Sequence, residues 1–142
     1  MARPKPQVGE TSLVVGKNCK RLRESLELTL AQLGERLAGV GHPMSTASLS
    51  ELERGVRKVT VDDLTALAAA LGVSPVGLLM PPSLLENVEE VSVTGARGVV
   101  ATQMLDWLLA AEPYDANRVA DPYEVETFRR MSLPPWAWGS GR

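Results

Sequence analysis

The sequence predicts a mainly helical chain, with five short helices between residues 12 and 82 forming one domain and a small strand-plus-helix segment after it. Three observations predict it. Apolar residues in the first part recur at spacings of three and four, the repeat of a helix with one buried face. Most of these stretches carry their own start and stop residues. Past Pro82 the period shortens to two at Val91 and Val93, the alternation of a strand.

In chain order, the first helix places Val15, Cys19, Leu22 and Leu26 on one face. The second opens with Thr29 as N-cap and Gln32 three residues on, a capping box, with Leu28 and Leu33 spaced as a hydrophobic staple. Its buried stripe is Leu30, Leu33, Gly34, Leu37 and Ala38. Glycine inside a helix costs about 1 kcal/mol relative to alanine, so Gly34 is expected where another helix passes close. The third helix starts at Ser45, with Met44 and Leu49 as staple, and ends at Gly55. The fourth starts at Thr60, carries Asp62 and Asp63 in its first turn where the helix dipole favours anions, and buries Leu64, Leu67, Ala68 and Leu71 before Gly72. The fifth has Ser74 as cap, Pro75 at its first position and Leu78 and Leu79 before the Pro81-Pro82 stop.

Residues 88–94 then read as a strand, 95–98 as a turn, and 99–111 as an apolar helix built on Val100, Met104, Trp107, Leu108 and Ala111. A single strand cannot stand alone. It needs an edge elsewhere in this chain or the same strand of a second copy, and pairing with its symmetry mate under the Trp107 helices is the expected arrangement. Asp121-Pro122-Tyr123-Glu124 marks a further helix start, with Val125 and Phe128 on one face. Trp136 and Trp138, close to the chain end, are expected to dock on this chain or on a partner. The resulting division is a flexible arm at 1–11, a helical domain at 12–82, a dimerisation or interaction segment at 83–111 and a proline-rich tail at 112–142.

Composition narrows the function classes. The 142 residues carry a net charge of −2, but residues 1–60 hold ten Lys and Arg against six Asp and Glu, and residues 61–142 hold five against eleven. A basic front half suits phosphate contacts; an acidic remainder is repelled by them. The single cysteine, Cys19, excludes an internal disulfide and a multi-cysteine zinc site, and its place on an apolar face makes it a core residue. No apolar run is long enough to cross a membrane and the N-terminus lacks the apolar core of a signal peptide, so no membrane partner and a cytoplasmic location are expected. With no metal cluster, glycine-rich phosphate loop or histidine beside a nucleophile, the sequence points to no enzyme, cofactor or metal. The only histidine, His42, reads as an exposed loop side chain.

Residues 45–55, Ser-Thr-Ala-Ser-Leu-Ser-Glu-Leu-Glu-Arg-Gly, stand out as a capped helix of small residues. Leu49 and Leu52 give it a narrow buried edge. Thr46, Ala47, Ser50 and Glu51 face outward on side chains short enough for the backbone to approach a base pair. Together with Val15-Gly16-Lys17-Asn18-Cys19-Lys20-Arg21-Leu22-Arg23, Thr29-Leu30-Ala31-Gln32-Leu33-Gly34, Leu52-Glu53-Arg54-Gly55 and the stretch 64–79, this segment resembles the Xre/Cro-type helix-turn-helix family, whose fold is the lambda-repressor-like DNA-binding domain. The resemblance covers about residues 12–82. It implies a sequence-specific regulator of transcription, a repressor, that binds double-stranded DNA by placing the helix Thr46 to Arg54 in the major groove.

By position in that family, Thr46, Ala47, Ser50 and Glu51 are the base-reading residues: Thr and Ala against a thymine methyl, Ser as donor or acceptor, Glu accepting from a cytosine amino group. Ser45, Arg54, Arg57 and Lys58 are the phosphate contacts. The family match and the inward placement of Glu53, where an unpaired carboxylate is costly, imply an ion pair between Arg23 and Glu53. Two departures stand out: Leu30 replaces the glutamine that often reaches a phosphate, and the connection 39–44 is several residues longer than the family's tight turn. A homodimer through 83–111 is the expected assembly, with a protein partner at the C-terminal segment as a further possibility. The alternatives in kind are an antitoxin with the same binding chemistry and a protein-interaction adaptor that has lost DNA binding.

Overall fold

Single capping residues set where the chain turns. The computed structural model describes residues 7–84, 88–114 and 119–139, which form seven α-helices and a two-stranded antiparallel sheet in two units, Met1–Pro82 and Ser83–Arg142.

The first unit holds α1 (Glu10–Ser25), α2 (Leu30–Gly39), α3 (Thr46–Glu53), α4 (Val61–Leu71) and α5 (Pro75–Leu79). Thr29 Oγ1 accepts from Gln32 N at 3.1 Å while the Gln32 side chain accepts from Thr29 N at 2.8 Å, so the capping box at α2 is closed. Thr60 and Asp63 make the same reciprocal pair at the start of α4. Ser45 and Ser74 cap α3 and α5 through their side chains. Each cap supplies an acceptor to an amide that the helix itself leaves without one.

The apolar stripes of α1 to α5 meet in one core, with Val15, Cys19, Leu33, Leu49, Leu67 and Leu78 each no more than 1% exposed. Two residues assigned to those stripes lie outside it. Helix α1 ends at Ser25, so Leu26 falls past its last turn and is 44% exposed. Ala38 is rotated about 100° from Leu37 around α2 and faces solvent. Conversely, Asn18 is fully buried on α1, where its amide donates to Leu78 O at 2.9 Å and Met80 O at 2.8 Å and ties α1 to the end of α5. Helix α1 also begins earlier than expected, at Glu10, which shortens the N-terminal arm; residues 1–6 of that arm lie outside the described residues.

In the second unit, β1 (Glu90–Val93) pairs antiparallel with β2 (Ala96–Val100), and α6 (Ala101–Leu108) packs on both strands. The strand expected to need a second copy finds its partner within the chain: residues 95–98 are not all turn, because Ala96 opens β2. Val99 and Val100 belong to that strand rather than to the helix. A bulge between Val91 and Val93 breaks the register, which hides β2 from a search for simple alternation. Among the described residues of this unit, Val91, Val93, Ala96, Val99, Ala101 and Met104 are buried. Helix α7 (Pro122–Ser132) starts with Asp121 and Glu124 in a capping box, and a 3₁₀ turn, Pro135–Ala137, follows it. Trp138 folds back, donating from Nε1 to Leu133 O at 3.0 Å with Arg130 5.1 Å from its ring centroid, whereas Trp136 is 80% exposed.

Candidate nucleic-acid interface

Helix α3 owes its two-sidedness to its sequence. Leu49 and Leu52, three apart, are fully buried, and Thr46, Ala47 and Glu51 project from the other side into solvent. Ser50 is half-buried, its Oγ accepting from Arg54 Nε at 3.3 Å. Ser45 is exposed, but its Oγ already accepts from Ser48 N at 3.1 Å, so the residue sits at the helix mouth as a cap. At the other end Gly55 turns into the left-handed region (φ +74°), and Gly55 N and Val56 N reach back to Leu52 O and Glu51 O. This closure puts Arg54 at the last turn with its side chain in solvent.

The helix is held from behind by one ion pair. Arg23 donates from Nε to Glu53 Oε2 and from Nη2 to Glu53 Oε1, both at 2.8 Å, and from Nη1 to Leu28 O at 2.8 Å. The parallel two-bond geometry is the strongest that a guanidinium and a carboxylate can adopt. With the side chains 13% and 5% exposed, it joins α1, the α1–α2 connection and α3 at one point. Cys19 lies 3.8 Å from Glu53 Oε2, and burial first, then the Glu53 charge, push its thiol up to about 12. It therefore stays protonated and serves as a small core residue.

The segments flanking α3 converge on Asp63. Its Oδ1 accepts from His42 Nε2 at 2.8 Å, and its Oδ2 accepts from Thr60 N at 3.0 Å and faces Arg57 Nη2 at 3.4 Å. Burial alone would push the Asp63 carboxyl up; the bonds from His42 and Thr60 and the charge of Arg57 outweigh it and hold the group below its ordinary value. His42 is thus no free loop side chain. Arg57, expected on the outer surface, is half-buried against Asp63, and its Nη1 is buried without an acceptor, whereas Lys58 is exposed. Asp63 carried a local signal as the third residue after a threonine cap; His42 carried none, being 21 positions away.

On α1, Lys17, Lys20 and Arg21 line a concavity with Glu24, Ser25 and Glu53, adding cations that the motif reading did not use. Among the described residues no cluster of His, Cys, Asp or Glu is spaced to hold a metal ion, and no helix is long and apolar enough to cross a membrane.

Comparison with known proteins places this geometry. Residues 20–78 match the helix-turn-helix family. Two proteins of Mycobacterium tuberculosis, each described as an uncharacterized HTH-type transcriptional regulator, one from strain CDC 1551 / Oshkosh and one from strain ATCC 25618 / H37Rv, are 37% identical to the chain over 81 residues. The aligned part is 57% of this chain and 54% of each relative, so the chain spans about half the length of these curated relatives. No solved structure matches it. The matched span runs from within α1 into α5 and contains both the capped α2 and the α3 that the Arg23–Glu53 pair holds in place. The match to the helix-turn-helix family, over residues 20–78, falls on the stretch that carries the Xre, lambda-repressor-like resemblance.

Proposed function

We infer that the chain is a sequence-specific, double-stranded-DNA-binding regulator of transcription that acts as a repressor, with α3 as the helix entering the major groove. The observation that carries this reading is the outer face of α3: Thr46, Ala47 and Glu51, exposed and short, opposite two fully buried leucines on a helix tied to α1 by the Arg23–Glu53 pair. Such a face can approach base edges closely, with Thr46 and Ala47 suited to a thymine methyl and Glu51 to a cytosine amino group. Ser45, Arg54, Arg57 and Lys58 flank it as phosphate contacts. A domain seated on a promoter excludes polymerase by occupancy, which is repression in its simplest form.

The reading includes a homodimer. Leu105 and Leu109 of α6 and its C-terminal cap are 38% and 55% exposed, and Val88 ahead of β1 is 75% exposed. Covering them with a second copy would present two α3 helices to half-sites about 34 Å apart. Selection of duplexes from a random pool by the full chain tests the function: an enriched motif bound with a steep salt dependence is expected, and a palindrome in that motif supports the dimer. No enrichment and no salt-dependent binding would leave an interaction adaptor in its place.

A further inference from the structure

Asp63 joins both segments that flank α3, and its two side-chain partners there are not equivalent. His42, in the α2–α3 connection, holds Oδ1 at 2.8 Å; Arg57, in the α3–α4 connection, reaches Oδ2 at 3.4 Å with its Nη1 left without an acceptor. The arginine bond is the looser one, and the arginine is the residue with donors to spare. We propose that Asp63 is a positioning residue of the DNA interface that holds Arg57 in reserve: a phosphate draws Arg57 outward, and His42 takes up a proton from solvent to remain as the cationic partner of the buried carboxylate.

The inference rests on the DNA-binding reading above and deepens it by making binding proton-linked. Its physical basis is that a carboxylate 3% exposed cannot be left as a lone charge. While Arg57 is in place, its charge both satisfies Asp63 and opposes a second positive charge on the imidazole. Once Arg57 moves to phosphate, both effects end and protonation of His42 is favoured. Of the other charged groups on the surrounding elements, Arg36, in the last turn of α2, is turned to Ala70 O at 3.3 Å, Glu53 of α3 is taken by Arg23 and Arg54 bonds Ser50 Oγ, while Glu35, Glu51, Lys58 and Asp62 are exposed to solvent. Histidine is the side chain whose ordinary protonation change lies in the physiological range, so the linkage would be felt there.

The test uses the full chain and a duplex obtained by selection from a random pool. At fixed salt, affinity is expected to rise as pH falls from 8 to 6, by up to about tenfold per pH unit for one proton taken up per site. His42→Gln, which keeps a side-chain amide to bond Asp63, should flatten that profile. Because the chain has one histidine, its imidazole resonance needs no assignment. Its titration midpoint should move up on adding the duplex, and Arg57→Gln should show a raised midpoint already without DNA and a smaller shift with it. A pH profile equally steep in His42→Gln, or a midpoint that the duplex moves as far in Arg57→Gln as in the parent, overturns the proton linkage while leaving the DNA-binding reading intact. Failure of the full chain to bind any duplex at any pH overturns both.

Discussion

Gly16 of α1 lies directly beneath the carbonyl of Leu52 in α3, so close that a methyl group placed on Gly16 would overlap the Leu52 oxygen. The two helices therefore meet backbone to backbone, which sets how closely α3 seats against α1. In an ordinary helix interior, alanine would be favoured over glycine by about 1 kcal/mol. Here Gly16→Ala is expected to reverse that sign and destabilise the domain by about 1 to 3 kcal/mol through overpacking. Thermal or denaturant unfolding checks it; a stabilised variant would show that α1 and α3 can separate without penalty.

Breaking the Arg23–Glu53 pair strands a charge against the core. Arg23→Ala or Glu53→Ala should each lower stability by about 3 to 5 kcal/mol. Replacing both together should cost less than the sum of the two single changes, since neither partner is then left unpaired. Additive losses in denaturant titrations would mean that the two side chains act independently.

Glu27 occupies the left-handed region (φ +56°) just past α1, with Glu27 N bonded to Glu24 O and Leu28 N to Arg23 O. Gly55 closes α3 with the same pair of bonds. A side chain in that conformation costs about 1 to 2 kcal/mol, so Glu27→Gly is expected to raise stability by about 1 kcal/mol after the added freedom of the unfolded glycine is counted. An unchanged or lowered melting temperature would contradict the strain.

Asp63 is expected to contribute to the acid limit of the domain. Its folded carboxyl lies below the ordinary aspartate value, so it binds protons less readily folded than unfolded. The stability it contributes is present above about pH 4, the range of an unperturbed aspartate, and is lost as pH falls from there through the folded value. Asp63→Asn should unfold less steeply with acid over that interval than the parent, read by circular dichroism against pH. An identical acid limb in both proteins would assign the transition to other carboxyls.

At the DNA interface, Arg54→Ala and Lys58→Ala should weaken binding to all duplexes alike and lower the magnitude of the salt slope by about 1 each. Thr46→Ala and Glu51→Ala should instead change which base pair is preferred at one position. Competition binding with single-base variants of a selected site separates the two classes; a residue with the opposite behaviour exchanges roles.

What the sequence made legible is what lies within a few residues. The capping pairs Thr29 with Gln32 and Asp121 with Glu124 are three apart, and the buried edge of α3 at Leu49 and Leu52 follows from one helical turn. The contacts that tune the site escape such reading because they join distant positions without a repeat. Asn18 meets Leu78 and Met80 some sixty residues away, and His42 meets Asp63 across the whole of α3. Strand β2 is hidden differently: its extra residue between Ala96 and Val99 replaces alternation with two buried residues separated by two exposed ones, a pattern shared by a helical turn.

The amide of Asn18 has a consequence for the chain as a modular object. By holding the carbonyls of Leu78 and Met80, it fastens the last turn of the first unit to the first helix immediately before two prolines, which have no amide hydrogens to offer in exchange. Among the described residues, these two bonds close the helix-turn-helix unit from inside it. The first helix and the last turn of the unit are thereby a single joint, so that loosening one end loosens the other.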